Sequence, residues 1–376
     1  MISYGRQHID RKDIKAVIRA LKSDSLTIGP LISAFESKIS ELIKADCFVV
    51  SSGTAALHCA YAAIDLQPGD EVITTPITFV STASTAMHFG AKIVFCDIDP
   101  RTGNMNPDLV ESLISDKTKA ITVVDFAGHP ADLLEFRRIA DKFGLFLIED
   151  AAHSFGSKYK NIPVGSIADL TIFSFFPTKN ITTAEGGAVS STDLGLLDKA
   201  RKFGRQGLVR DKDKFINQPD GPWHQEVHHI GLNYRLPDVL CSLGISQIAK
   251  IDKFKSRRNE IFDFYQESLS NISLLKLPTV EKYAEPFWHL YPVRVKNNQR
   301  NALHKFLWSY DIRAQVNYVP VYHHPVFKNL GYESIFCPEA EDFYQEELSL
   351  PIHLDLSSRD LDLIVKKLVL FAGNTN

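Results

Sequence analysis

The segment Leu145-Phe-Leu-Ile-Glu149-Asp150-Ala-Ala-His153 decides the fold, because it leads a short apolar strand directly into a carboxylate. The strand shows no polar alternation, which is typical of a strand buried on both faces of a parallel sheet. Open α/β sheets bind ligands outside the carboxyl ends of such strands. Asp150 is therefore a candidate binding residue, although a carboxylate here could equally cap the next helix.

Similar apolar runs recur on both sides of this segment and alternate with helical patterns, as in an α/β unit. The clearest helix covers residues 130–143, with Pro130 in its first turn and Gly144 after its last. The sequence predicts a large domain with a mostly parallel seven-stranded sheet. Its expected strands are residues 47–50, 72–74, 93–95, 121–124, 145–148, 170–175 and 188–190.

The second half of the chain has a different organisation. Residues 205–222 are polar and punctuated by Gly and Pro, which predicts a long surface loop. One long helix is expected over 238–270, followed by a second αβ section with a strand at 289–295. We place the domain boundary inside that helix, which gives a large domain 1–250 with an N-terminal arm and a small C-terminal αβ domain 251–376. Further helices are expected near 300–310, 339–347 and 358–371.

Composition excludes several function classes. The 376 residues carry 42 Lys plus Arg against 45 Asp plus Glu, a net charge of −3 that leaves no basic field for nucleic acid. No apolar run approaches the roughly 18 residues of a membrane span, and the first residues lack the features of a secretory signal. The five cysteines are widely spaced and suggest no disulfide framework. We therefore expect a cytoplasmic protein.

Residues 51–57 (Ser-Ser-Gly-Thr-Ala-Ala-Leu) form a small-residue turn between a strand and a helix. The backbone N–H groups and the helix dipole at such a turn can bind one phosphate. The sequence contains neither a Gly-x-Gly-x-x-Gly fingerprint after a strand nor a P-loop, so a nicotinamide dehydrogenase or a P-loop ATPase is not expected. A tight turn with a Thr cap is the alternative interpretation.

Lys179 connects these two features. It lies between an apolar strand and the pair Gly186-Gly187, 29 residues after Asp150. A lone lysine is usually a solvated surface charge. A phosphate cradle, a carboxylate and an amine at the ends of adjacent strands, however, are the set that pyridoxal 5'-phosphate requires. The lysine binds the aldehyde and transfers protons, the carboxylate keeps the pyridine nitrogen protonated, and Phe79 can stack on the ring.

These motifs resemble the nucleotide-sugar aminotransferases of the DegT/DnrJ type, and the resemblance covers nearly the whole chain. It implies the PLP-dependent transferase fold type I, with Lys179 as the covalent cofactor lysine, Asp150 at the pyridine nitrogen and His153 at the ring hydroxyl. It also implies a homodimer with shared active sites, because the phosphate would be held by Thr54, Ala55, Ser174 and, from the other subunit, Asn233. The matching stretches are residues 51–57, 78–80, 149–156, 174–187 and 231–235.

Within the family, residues 124–130, 179–185, 222–223 and 314–322 are most similar to the pseudaminic acid pathway branch. That branch implies transfer of an amino group from L-glutamate to C4 of a UDP-linked 2-acetamido-2,6-dideoxy-4-keto-hexose. The product would be UDP-4-amino-4,6-dideoxy-N-acetyl-beta-L-altrosamine. By the same resemblance the sugar nucleotide would contact Tyr4, Asp24, Ser25, Leu26, Thr27, Asn317, Tyr318 and Val319.

Three residues near the lysine depart from the family pattern. Phe176 stands where many members have His, Asn180 where the branch often has Pro, and Ala184 where Gly is usual. None removes a group that the chemistry needs. Members that dehydrate carry His at the position of Lys179, so the retained lysine favours transamination.

Other interpretations remain open from the sequence. His224, Glu226 and His228 would share one face of a strand, as metal ligands could, but three ligands so close on one strand diverge, and we expect no metal site. The basic run from Lys199 to Lys214 could meet a diphosphate or form a solvated face. The alternative functions are amination of another nucleotide-linked keto sugar, at C4 or C3, and ligand binding without catalysis.

Overall fold

The computed structural model describes residues 1–374, and a seven-stranded sheet lies at the centre of its larger part. The strands are β1 (Asp46–Val50), β2 (Glu71–Thr74), β3 (Lys92–Phe95), β4 (Thr118–Val124), β5 (Phe146–Asp150), β6 (Lys158–Tyr159), β7 (Ile162–Pro163), β8 (Leu170–Ser174), β9 (Gly187–Ser191), β10 (Leu208–Val209), β11 (Glu226–Val227), β12 (Leu275–Lys276), β13 (Ala284–Glu285), β14 (Tyr291–Val295) and β15 (Glu347–Leu350).

Within residues 1–374, thirteen helices pack around this sheet and in the C-terminal part of the chain. They are α1 (Arg11–Leu21), α2 (Pro30–Ile43), α3 (Gly53–Ala63), α4 (Ser81–Met87), α5 (Pro107–Val110), α6 (Leu133–Phe143), α7 (Leu194–Gly204), α8 (Asp238–Ile248), α9 (Ile251–Leu269), α10 (Arg300–Ser309), α11 (Pro325–Phe327), α12 (Pro338–Glu346) and α13 (Ser358–Asn374).

The central sheet confirms the predicted mostly parallel arrangement. Its order is β1-β9-β8-β5-β4-β2-β3, and β9 alone runs antiparallel to the other six strands. The parallel pairs bring the carboxyl ends of β4, β5 and β8 to one edge. The interiors of these strands are buried throughout, which explains the continuous apolar runs.

Helix α6 begins at Leu133, so the predicted start at Pro130 is wrong. The carbonyl oxygens of His129 and Pro130 accept hydrogen bonds from Asn104 Nδ2, at 3.0 and 3.2 Å, and are therefore not available to a helix. The predicted end is confirmed, because Gly144 adopts the left-handed conformation with φ 64°.

The long helix expected over 238–270 is two helices, α8 and α9, separated at Ala249 and Lys250. At this break Lys250 Nζ lies 2.6 Å from Asp13 Oδ2 and 3.1 Å from Asp10 Oδ2, which ties the junction to α1. The predicted boundary at 250/251 coincides with the break, and the division into two domains stays a prediction. Residues 205–222 are not entirely loop, because β10 pairs with β11 in a short antiparallel hairpin.

The C-terminal part contains a three-stranded antiparallel sheet, β12-β14-β15, with α10, α12 and α13 close to their predicted positions. The N-terminal arm reaches this part of the molecule, because Ile2 forms a parallel bridge with Ile312. Among residues 1–374, no helix has the length and apolarity that crossing a membrane requires.

Candidate active site

A cavity of about 580 Å³ opens at the carboxyl ends of the central strands. Its walls come from α3, from β5 and β8, from the segment after β8, and from the segment after α10 that contains Gln315, Asn317 and Tyr318. Most of the predicted site residues line it. These are Tyr4, Thr54, Phe79, Asp150, His153, Ser174, Lys179, Asn317 and Tyr318.

Other predicted residues lie outside the cavity wall. Ala55 is buried, and its N–H donates to Ser52 Oγ at 3.0 Å, which caps α3. Asn233 is on the surface and bridges to Arg205. Residues 24–27 are mostly exposed, and Val319 is half-buried. Their predicted roles at this site remain predictions.

The phosphate cradle forms where α3 meets β8 and β9. Ser52, Gly53, Thr54 and Ser174 line this end of the cavity, and the 11-residue helix α3 directs its N-terminal dipole toward it. A Cβ on Gly53 would lie 2.9 Å from Ser174 Cβ. A Cβ on Gly187 would lie 2.5 Å from the carbonyl oxygen of Ser52, so only glycine allows β9 to approach the cradle this closely.

Asp150, the last residue of β5, forms the floor of the cavity and is only 5% exposed. Its Oδ2 accepts a hydrogen bond from Thr82 Oγ1 at 2.7 Å, and its Oδ1 accepts one from Ala152 N–H at 3.2 Å. Burial raises the pKa of Asp150, while these bonds and the charge of Lys179 oppose the rise. The carboxylate is therefore held in a fixed orientation in front of the cavity.

Lys179 lies in a turn after β8, where its N–H donates to the carbonyl oxygen of Phe176 at 2.9 Å. Desolvation in the cavity lowers the pKa of Lys179 to about 8, and the negative charge of Asp150 limits that fall. An amine with this pKa is partly neutral near physiological pH. It can therefore act both as a nucleophile and as a proton carrier.

His153 faces the cavity from the turn after β5. Its Nε2 lies 3.1 Å from the Tyr318 hydroxyl, and its ring is 4.4 Å from the ring of His289, centroid to centroid. Burial, with a smaller contribution from Lys179, lowers the pKa of His153 well below its usual value. The imidazole is therefore neutral, and its buried Nδ1 has no hydrogen-bond partner within residues 1–374. Such a polar atom suits contact with a bound molecule.

The structure shows the surroundings of the three residues near the lysine that depart from the family pattern. Phe176 lines the cavity, as its position beside Lys179 suggests. Asn180 does not: it is buried, and its Nδ2 donates to the carbonyl oxygens of His153, Phe155 and Phe287 at 3.0–3.3 Å. Asn180 thus ties the lysine turn to two other segments instead of shaping the substrate pocket. Ala184 has φ 69°, a conformation that favours the glycine usual there.

Sequence reasoning missed Thr82, His289 and Gln315, all of which touch the cavity or its carboxylate. Ser52 lies within the predicted phosphate-binding turn, although it is not among the individually predicted contacts. Thr82 had a usable signal, because it lies one helical turn after Thr78 in a stretch already singled out, and the two hydroxyl oxygens are 2.8 Å apart. His289 and Gln315 come from the C-terminal part and carry no motif.

The two alternative binding features have structural explanations. Glu226 accepts hydrogen bonds from the N–H groups of Ile216 and Asn217, at 2.8 and 2.7 Å, and its Oε2 lies 2.6 Å from His228 Nε2. The part of the chain that the structure describes holds no group of three His, Cys, Asp or Glu side chains arranged for a metal. Members of the basic run pair with surface carboxylates, among them Lys199 with Asp65, and do not line the cavity.

The arrangement fits pyridoxal phosphate. The cradle, the Asp150 carboxylate and the Lys179 amine surround one cavity, and the cavity carries a neutral histidine with an unpartnered nitrogen. A phosphate at the α3 end would leave a pyridine ring between these groups and Phe79, whose side chain is 58% exposed at the cavity mouth.

Comparison with known proteins gives consistent results. The sequence matches the pattern of the DegT/DnrJ/EryC1/StrS aminotransferase family over residues 7–369. It is 38% identical to the UDP-4-amino-4,6-dideoxy-N-acetyl-beta-L-altrosamine transaminase of Campylobacter jejuni subsp. jejuni serotype O:23/36 (strain 81-176), over 97% of this chain and 96% of that protein.

Solved structures are similar over almost the full length. Helicobacter pylori PseC, an aminotransferase involved in the biosynthesis of pseudoaminic acid, superposes with a TM-score of 0.93 at 31% identity, over 99% of each chain. The putative sugar aminotransferase Spr1654 from Streptococcus pneumoniae superposes in its PMP-form with a TM-score of 0.94 at 28% identity, over 100% of each chain. Its PLP-form superposes equally well, with a TM-score of 0.93.

Proposed function

Because the chain belongs to the DegT/DnrJ/EryC1/StrS aminotransferase family, we propose that it transfers an amino group from L-glutamate to C4 of a UDP-linked 2-acetamido-2,6-dideoxy-4-keto-hexose. The product is UDP-4-amino-4,6-dideoxy-N-acetyl-beta-L-altrosamine. The chain is an aminotransferase of PLP-dependent fold type I and uses pyridoxal 5'-phosphate. Its likeness to the Campylobacter transaminase and to PseC supports this particular substrate.

One observation carries the chemistry: Lys179, Asp150 and the N-terminus of α3 converge on a single cavity. These groups come from three different strand ends, and separately each has an ordinary structural explanation. Together they provide an amine, an anion and a phosphate cradle within one space. Binding alone does not need a nucleophilic amine, so the arrangement favours catalysis over a ligand-binding role.

We assign the cofactor contacts as follows. Thr54 and Ser174, with the N-terminus of α3, hold the phosphate. Asp150 faces the pyridine nitrogen, His153 the ring hydroxyl, and Phe79 the face of the ring. Ala55 joins the phosphate contacts only when its N–H is released from Ser52 Oγ, to which it is bonded here.

When bound, pyridoxal phosphate supplies an aldehyde that captures amines and a ring that takes up the electron pair of a carbanion. Lys179 is the amine that would hold that aldehyde, and its Nζ would carry the proton that moves between the two reacting carbon atoms. Its pKa of about 8 suits both directions of proton transfer near neutral pH. Asp150 supplies the negative charge that keeps the pyridine nitrogen protonated, with Thr82 holding one of its oxygens in place.

We also propose a homodimer in which Asn233 of each subunit reaches the phosphate of the other. Asn233 is exposed, and large apolar side chains in the same segment are exposed in the single subunit. Ile230 is 95% exposed and Trp223 is 76% exposed. Exposed clusters of large apolar side chains are typical of protein–protein contact surfaces. The sites are then completed only in the dimer.

Among the substrate contacts, Tyr4, Asn317 and Tyr318 have direct support, because they line the cavity. Asp24, Ser25, Leu26, Thr27 and Val319 lie outside its wall. We propose that this second group contacts the nucleotide beyond the mouth of the cavity.

Product analysis tests the proposal. The enzyme is incubated with pyridoxal phosphate, L-glutamate and one of three acceptors: the UDP-linked 4-keto sugar, a dTDP-linked 4-keto sugar or a 3-keto sugar. NMR of the product identifies the aminated carbon, and Lys179→Ala serves as the inactive control. Amination at C4 of the UDP sugar is expected. Conversion only of the dTDP-linked or the 3-keto sugar would leave an aminotransferase with another nucleotide-sugar substrate.

A further inference from the structure

A buried carboxylate lies behind the substrate wall of the cavity. Glu347, the first residue of β15, is 0% exposed. Its Oε2 accepts a hydrogen bond from the backbone N–H of Asn317 at 2.7 Å, and its Oε1 accepts one from Ser349 Oγ at 2.6 Å. Glu347 does not line the cavity, but Asn317 does.

Hydrogen bonds link Ser349 to the cavity through Asn317 and Tyr4, and each group has a defined role as donor or acceptor. The Ser349 hydroxyl donates its hydrogen bond to Glu347, so the Ser349 oxygen is free to accept one from Asn317 Nδ2 at 3.1 Å. The second Nδ2 hydrogen of Asn317 goes to the Tyr4 hydroxyl oxygen at 2.7 Å. Both amide hydrogens are thus used. Tyr4 keeps its own proton to donate, and Asn317 keeps its Oδ1 to accept.

We propose that Glu347 is a positioning residue for nucleotide-sugar binding: through Ser349 and Asn317 it makes Tyr4 a hydrogen-bond donor and Asn317 an acceptor toward the bound substrate. The inference rests on the proposed function, because the Tyr4 hydroxyl would then be a donor for the carbonyl oxygen of a secondary amide, and Asn317 Oδ1 an acceptor for a hydroxyl group of the same sugar. The acetamido group of the proposed substrate is such an amide.

The donor-to-acceptor direction of the hydrogen bonds from Glu347 through Ser349 and Asn317 to Tyr4 depends on the ionisation of Glu347. A proton on Oε1 would be donated to Ser349, whose own hydroxyl would turn to Asn317, and the amide would then present its oxygen to Ser349 and Tyr4. The cavity wall would show the opposite pattern, with Asn317 as the donor. Substrate that requires Tyr4 as a donor therefore binds the ionised form of Glu347.

The charges around Glu347 place this change near neutral pH. Burial raises the pKa of Glu347 to about 8, against the hydrogen bonds from Ser349 and Asn317 and the positive charge of Arg300 on α10. The other titratable groups that interact with it are Tyr4 and Tyr318, whose pKa values burial also raises, and Arg258 acts on Tyr4. At pH 7 most Glu347 side chains then carry a proton, which substrate binding releases.

The test measures binding, so that it does not depend on turnover. Isothermal titration calorimetry of the PLP-loaded enzyme with UDP-N-acetylglucosamine gives Kd at pH 7 and pH 9, and two buffers of different ionisation enthalpy give the protons released. For a group with pKa about 8, binding to the ionised form becomes about tenfold tighter from pH 7 to pH 9, with about one proton released at pH 7.

Three variants separate the explanations. Glu347→Gln cannot ionise, so its Kd is expected to be the same at both pH values with no proton released through this group. Ser349→Ala removes the hydroxyl that links Glu347 to Asn317 Nδ2 but keeps Glu347 itself. Its Kd should also be independent of pH, which provides a second test if Glu347→Gln does not fold. Glu341→Gln is the matched control, because Glu341 is buried on α12 and bonds Tyr322 away from the cavity; it should behave as wild type.

The outcomes are distinguishable. A tenfold pH dependence that persists in both Glu347→Gln and Ser349→Ala overturns the inference, as does a wild-type Kd that does not change with pH. Failure of wild-type enzyme to bind UDP-N-acetylglucosamine contradicts the proposed UDP-sugar function instead, and the inference falls with it.

Discussion

Replacing Asp150 by Asn removes the charge at the cavity floor and little else. Asn can keep an oxygen toward Ala152 N–H and turn its amide nitrogen toward Thr82, whose hydroxyl also has Thr78 as a neighbour at 2.8 Å. We therefore expect the free energy of unfolding to change by less than about 1 kcal/mol. The lost charge-assisted hydrogen bond to the pyridine nitrogen is worth about 1.5–3 kcal/mol, or roughly 10- to 100-fold in rate.

The assay is stopped-flow absorbance of PLP-loaded enzyme mixed with L-glutamate, which follows the loss of the absorption of lysine-bound cofactor. In the cofactor-free enzyme, the pKa of Lys179 should also fall below about 8 in Asp150→Asn, because the charge of Asp150 is what raises it. Thr82→Val is the control, since it removes a hydrogen bond but keeps the charge. A wild-type rate in Asp150→Asn, or an equal loss in Thr82→Val, would refute the assignment of the pyridine partner.

Three further changes test other parts of the site. Lys179→Ala should abolish transamination and leave the circular dichroism spectrum unchanged; measurable turnover would show that another group moves the proton. Gly187→Ala should prevent cofactor retention, because its Cβ would lie 2.5 Å from the carbonyl oxygen of Ser52; a variant that purifies with bound cofactor would contradict this. Asn180→Ala should lower the free energy of unfolding by about 1–3 kcal/mol in urea titrations, because it leaves buried carbonyl oxygens such as that of Phe287 unbonded. An unchanged midpoint would show that the hydrogen bonds of Asn180 do not stabilise the lysine turn.

The central sheet could be predicted from the sequence because its strands are apolar on both faces. All seven predicted runs correspond to strands, and the errors lie at the ends: β4 starts at Thr118 instead of residue 121, where polar side chains begin the strand. The start of α6 could not be found in this way. Pro130 suits a first helical turn, but Asn104, distant in sequence, binds its carbonyl oxygen instead.

The site residues that could be predicted lie directly after strands that the sequence itself identifies. Asp150 and Lys179 each follow an apolar strand, and their combination with the small-residue turn identified the chemistry. His289 and Glu347 could not be found, because each acts at the cavity through contacts between segments far apart in the chain. Asn180 directly follows the lysine in the sequence, yet its side chain points to backbone carbonyls, which sequence spacing does not reveal.

The most direct test of the account is the visible absorption spectrum of the protein with pyridoxal phosphate, recorded before and after L-glutamate and again after the UDP-linked 4-keto sugar. We expect the band of lysine-bound cofactor to disappear with glutamate and to return with the keto sugar, which separates the two half-reactions in one cuvette. A folded protein that shows no such band would contradict the assignment of Lys179, and a band that glutamate removes but the keto sugar does not restore would contradict the proposed acceptor.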